Sequence, residues 1–363
     1  MNHLQPYVGE LFEQKNMSIL PQQMEQSNYS KLEQIIDKRI IKDFTTITFS
    51  GYKKTEVIKS LMKALICSKI ELACYWCAEL ICSGRFIEVW DLFIQFYCKY
   101  IHIGNIKIAI YLDHKYKQFD TIMKTEYKIL FLDIRNDQRI RNMMAEIICV
   151  LSNDTIRKHA FDSIKIGADD FDMQYMKTRF KAPSMIYAES IYQKFDPIEF
   201  IVAINELAYH VSAGTQNTIM ACYWIEWIYE FELLGKAKKE LYECETRYFV
   251  EIDSKYQKEI TWLIWNVFLL ESENRNGLIK NVIHSLLNLY AINYSKGTNR
   301  KRKYILYFVV NILCETVSLN ENIIQDNQRE KIAIVIENIN LIYKQIKSAE
   351  QTLGNDYLFH GLG

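Results

Sequence analysis

The stretch whose reading decides the fold is Glu71-Leu-Ala-Cys-Tyr-Trp-Cys-Ala-Glu-Leu-Ile-Cys-Ser-Gly84. Between Ile70 and Cys82 its only charges are Glu71 and Glu79, so a helix here is apolar almost all round and has to be surrounded by protein. Ser83-Gly84 stops it, glycine supplying the left-handed residue after the last turn. A weaker copy, Ala221-Cys-Tyr-Trp-Ile-Glu-Trp-Ile-Tyr-Glu-Phe-Glu-Leu-Leu-Gly235, returns in the second half of the chain. Each follows another amphipathic stretch, Lys54 to Ile66 and Ile198 to Val211. The expectation is an internal duplication: about a dozen helices in two similar helical bundles, with Trp76 and Trp224 buried at equivalent places.

Composition points the same way. With Gly 12 and Pro 4 in 363 residues, far below the roughly 7% and 5% of average usage, the chain has few breaks, which argues for long helices and an all-α class. Hydrophobic residues at 49%, with Tyr 24, Phe 18 and Trp 6, supply an aromatic core. Lys+Arg 44 balance Asp+Glu 44, so no overall field draws the protein to nucleic acid or an anionic membrane, and any such binding must be local. The nine Cys lie mostly in apolar helical stretches and are odd in number. Reduced thiols in a cytoplasmic or nuclear, non-secreted setting are expected. Every long apolar segment carries charges within about 18 residues, too few clean positions for a membrane span.

In order, residues 1–29 read as a polar N-terminal arm and 30–153 as a first helical domain, opened by the capping box Ser30-Lys-Leu-Glu33. The Thr-rich run Phe44 to Ser50 reads as a loop, since one isolated strand has no partner. Helices are expected over Phe86 to Ile103 and Ile106 to Tyr116, and one capped by Asn136-Asp137. Residues 154–195 read as a linker region and 196–349 as the second helical domain, opened by Asp196-Pro197-Ile-Glu199 with Asp196 as N-cap. Residues 350–363 are a tail.

Three constellations carry candidate chemistry. Cys74-x-x-Cys77 with Cys98-x-x-x-His102 has the spacing of a zinc site, although Tyr75-Trp76 between the cysteines inside an apolar helix favours core packing. Asp169, Asp170 and Asp172 with Glu189 offer hard oxygen ligands but lack a calcium-loop pattern, and a solvated loop is preferred. Lys296, Arg300, Lys301, Arg302 and Lys303 form the densest positive run and could contact phosphates. No phosphate loop is present, because the Gly235-Lys236 pair lacks the upstream glycine, and no nucleophile elbow occurs. No catalytic residue, cofactor or small-molecule substrate is expected.

Ala73, Tyr75, Trp76, Leu80 and Gly84, followed by Ile103-Gly104, match the pattern Ala-x-Tyr-Trp-x-x-x-Leu/Met-x-x-x-Gly and a later Ile-Gly turn. In these residues Val57 to Leu112 resembles the C-terminal helical domain of the MgsA/RarA and Werner-helicase-interacting ATPases of the clamp-loader clade. His102 and Ile106 stand where that family has Asp and Pro, and no ATPase domain accompanies the segment. The resemblance implies an oligomerising collar and no chemistry. The Ile-, Asn-, Lys- and Tyr-rich style also resembles helical proteins of large eukaryotic DNA viruses, which implies a viral factory or virion setting. The functional expectation is a non-enzymatic scaffold or assembly protein that self-associates or bridges protein partners. The alternative is a nucleic-acid-binding replication accessory using the collar-like segment and the basic run.

Overall fold

The computed structural model describes residues 34–128 and 130–351; the N-terminal arm, the Ser30 to Glu33 capping box and nearly all of the tail lie outside the described residues. Within them the chain forms α1 (Lys54–Ile66), α2 (Ile70–Cys82), α3 (Phe86–Phe96), α4 (Ile108–Glu126), α5 (Gln138–Leu151), α6 (Met173–Arg179), α7 (Ile186–Glu189), α8 (Ile201–Val211), α9 (Thr218–Ala237), α10 (Thr261–Glu273), α11 (Gly277–Ala291), α12 (Thr298–Lys301), α13 (Lys303–Cys314) and α14 (Asp326–Lys347). The only β-pairing among the described residues is one antiparallel bridge, Ile47 to Lys53, closing the Thr-rich loop. The class is all-α.

Local chemistry places several of these elements. Gly84 ends α2 at φ +70, where a side chain would be strained. Asp137 caps α5 by accepting from the Arg139 amide at 2.8 Å, and Asn276 caps α11 through the Leu278 amide at 2.8 Å, each satisfying an orphan donor of the first turn. The buried Glu79 in the middle of α2 is held by the Thr-rich loop: its carboxylate accepts from Thr48 Oγ1 at 2.7 Å, from the Ser50 amide at 2.6 Å and from Ser50 Oγ at 2.9 Å. The composition of that loop thus solves a burial problem on the neighbouring helix.

Four expectations are corrected. The α3 helix does not run to Ile103; it widens into a π turn at Tyr97–Ile101 and breaks where His102 takes φ +50. The α4 helix runs on to Glu126, because the i,i+4 pairs Lys117–Asp113 (2.9 Å) and Lys124–Asp120 (2.6 Å) support its polar second half. Asp196 is no helix cap: its carboxylate accepts from the Gln193 and Glu245 amides and pairs with Arg247. Residues 154–195 are no loose linker, since Ile156, Met176, Ala188 and Ile191 are buried.

The two expected bundles are one body. α14, assigned to the second domain by sequence, packs on α2 and α5 of the first, and α4 packs on α11. The innermost element is α13, whose residues Ile305 to Cys314 are all buried and which touches α8, α9, α10 and α11 as well as the π turn after α3. One hydrophobic cluster extends from Ile35 to Ile346, so the bounds drawn at 153 and 195 do not separate two cores.

Candidate functional site

Trp76, expected in the core, is half-buried. It forms the wall of a groove of about 620 Å³ between α2 and α14, lined also by Tyr52, Tyr75, Leu72 and Ile342, with Lys69 and Glu71 at its edge. The Tyr52 and Tyr75 rings meet the indole edge-to-face at 5.4 and 5.0 Å. Burial, and next the Tyr52 hydroxyl beside it, push the Tyr75 phenol up to about 12, so that ring carries no charge at physiological pH. Leu72 and Tyr52 are 42% and 44% exposed, and along α14 Ile334 and Leu341 stand 52% and 63% exposed. Leu341 lies one turn before the groove residue Gln345, so the apolar lining continues along that helix face. Exposed apolar side chains therefore lie both at the groove and along the adjoining face of α14.

The zinc-like quartet is not assembled. Cys74, Cys77 and Cys98 are buried free thiols, their ionisation pushed up by burial, and His102 stacks on Phe308 at 4.7 Å. Among the described residues no group of three or more His, Cys, Asp or Glu is placed to hold a metal ion. Burial depresses His102 to about 4. Because the unfolded chain titrates near 6.5, it binds the proton that the fold refuses, and this contribution to stability is full above about pH 6.5 and is lost as pH falls towards 4. A shift of this size amounts to about 3 kcal/mol at most. His102→Asn removes the titrating ring, so it is expected to flatten the loss of stability between pH 7 and pH 4.5 in urea titrations. An unchanged pH dependence would locate its origin elsewhere.

The acidic patch is structural. Asp170 accepts from the Tyr223 hydroxyl at 2.9 Å and the Gly167 amide at 2.8 Å, while its carbonyl accepts from Trp227 Nε1 at 3.0 Å, so it pins its loop to α9. Asp172 caps α6. Asp169 and Glu189 are exposed.

The basic run is dispersed. Arg302 is buried, pairs with Asp91 at 2.5 Å and donates to the carbonyls of Tyr290 and Ile292. Lys303 and the Tyr307 hydroxyl both donate to the buried Glu226 at 2.5 Å. Arg300 donates to the Tyr229 carbonyl at 2.9 Å, and Lys296 and Lys301 are exposed. The five residues therefore do not form one phosphate-binding surface: two of them stitch α13 to α3 and α9.

No family model matches the chain, and neither does any curated protein or solved structure. Among the described residues no helix is long and apolar enough to cross a membrane.

The groove was not foreseen, because Trp76 and Leu72 sit in a helix that is apolar on every side. No local signal in that helix marks which of its faces stays open.

Proposed function

We infer that this protein is a non-enzymatic α-helical scaffold that self-associates through the groove between α2 and α14. The observation that carries the reading is Trp76 standing half-exposed beside Tyr52, Tyr75 and Leu72 on a framework whose other features are structural. Aromatic side chains in a concave, neutral setting are the anchors that dominate protein interfaces. The occupant that fits is a second copy. Lys69 and Glu71 flank the lining with opposite charges, so two copies related by a two-fold axis bring the lysine of each opposite the glutamate of the other, the self-complementarity that a symmetric interface requires. The collar resemblance of Val57 to Leu112 supports the same role. Eight of the nine cysteines are buried as free thiols, which supports a reducing compartment, cytoplasm or nucleus, with a viral factory or virion as the more specific setting.

Light scattering on the purified chain is the test. The expected result is a dimer or larger assembly that Leu72→Glu dissociates while far-UV circular dichroism stays unchanged. A strictly monomeric wild-type chain, or an assembly indifferent to Leu72→Glu and to Trp76→Glu, ends the reading. Turnover of any nucleotide would also end it.

A further inference from the structure

A second surface is formed where residues 156–161 dock on the turn after α3. The docking needs Gly104: a Cβ built there would lie 1.8 Å from the Ile156 carbonyl oxygen, so only glycine admits the approach. Two backbone bonds complete it, from the Lys158 amide to the Tyr100 carbonyl at 3.1 Å and from the Ala160 amide to the Lys99 carbonyl at 3.0 Å. Arg157 anchors the loop from beneath, donating to the carbonyls of Leu65 and Ile66 and to Ser68 Oγ. The segment is thus built into the fold, and the side chains it presents are held in place.

Those side chains are cations interleaved with rings. Lys99 and Lys158 are exposed, and neither has an ion-pair partner among the described residues. The Lys99 ammonium stands 5.5 Å over the Tyr304 ring. His159 meets Tyr100 edge-to-face at 5.4 Å, and Phe161, 38% exposed, lies 5.5 Å from Tyr307. Lys301, one turn before Tyr304, is exposed as well. Asp91 is paired with Arg302 and Glu226 with Lys303, while Asp154 stands exposed on the docked loop itself. Asp162 is exposed beside Phe161.

We propose that this surface binds single-stranded nucleic acid, with Lys99 and Lys158 on the phosphates and His159 and Phe161 as stacking platforms for unpaired bases. A positive track beside exposed rings is the arrangement that holds single strands without sequence preference. A duplex offers the phosphates but keeps its bases stacked inside, and an acidic peptide offers the charge but no flat partner for the rings. The surface answers the neutral overall charge of the chain: the field is local, assembled from segments far apart in sequence.

The test is fluorescence anisotropy of a labelled oligothymidylate titrated with the full chain at low salt. Binding is expected to weaken about 5- to 140-fold in Phe161→Ala, the range that stacking of one base contributes, and to be restored in Phe161→Trp. Lys99→Ala and Lys158→Ala should each reduce the slope of log affinity against log salt by about 0.7. Lys296→Ala, outside the surface, should leave both quantities unchanged. Absence of binding at low salt overturns the proposal. So does a Phe161→Ala variant that binds like wild type with unchanged thermal unfolding, a duplex that binds as tightly as the single strand, or displacement of the strand by polyglutamate at equal charge.

Discussion

Asp196→Ala is expected to destabilise the fold by about 3–5 kcal/mol, the cost of leaving one member of a buried ion pair without its partner. Arg247 is 2% exposed and its guanidinium meets both Asp196 oxygens, at 2.6 and 3.2 Å. It also donates to the Ile191 and Glu245 carbonyls, so it cannot swing into solvent without breaking several bonds. The carboxylate in turn accepts from the Gln193 and Glu245 amides at 2.7 and 2.8 Å. This clamp fastens the irregular segment 238–250 to the start of α8, where Tyr242 packs against Phe200 and Phe231. Urea unfolding of wild type and variant measures the effect. Replacing both partners with apolar residues, Asp196→Leu with Arg247→Met, should recover part of the loss, because the pair's desolvation is removed together with its attraction while the Gln193 and Glu245 amides lose their acceptor. A single variant within about 1 kcal/mol of wild type would mean that the pair is solvated and that the clamp contributes little.

The same pair shows where sequence reading stops. Asp196-Pro197-Ile-Glu199 has the residues of a helix start, and a helical turn does follow, at Ile198–Phe200. What the local pattern could not contain is Arg247, which claims the carboxylate from 51 residues away. Arg302 and Lys303 behave likewise: adjacency in sequence suggested one positive surface, yet Asp91, 211 residues distant, and Glu226 draw them inward. Elements fixed by short-range chemistry were legible. The α2 helix with Gly84 behind it and α5 behind Asp137 fall where capping and periodicity put them. Elements fixed by long-range packing were not. An all-apolar helix gives no clue to which face is covered last, so neither the groove at Trp76 nor the central place of α13 could be read from the pattern. The surface around residues 156–161 escaped for a related reason, since its cations and rings come from two segments that only a close backbone approach at Gly104 brings together.

Trp224→Ala is expected to cost about 3–5 kcal/mol, as a buried large-to-small change, whereas Trp76→Ala should cost under about 2 kcal/mol, because a half-exposed side chain has less transfer energy to lose. The two residues share the motif Ala-Cys-Tyr-Trp but not its surroundings. Trp224 is fully buried, stacked on Phe180 at 6.0 Å and edge-on to Tyr223 and Trp227 at 5.2 and 5.9 Å. Trp76 faces the groove. The buried carboxylates near them differ too: Glu79 follows Trp76 by three positions and is met by loop hydroxyls and an amide, while Glu226 follows Trp224 by two and is met by Lys303 and Tyr307. On a helix that one-residue difference rotates the polar group by about 100°, so the two helices present different faces to their neighbours. Trp224→Phe should cost less than Trp224→Ala, since the indole Nε1 has no hydrogen-bond partner to lose and a ring still fills most of the space. Equilibrium unfolding of the three variants decides the matter. Equal costs for the two alanine changes would put both tryptophans in equivalent cores and restore the duplication expected from sequence; a gap of more than about 1 kcal/mol, with Trp224 the costlier, is the outcome that the observed packing requires.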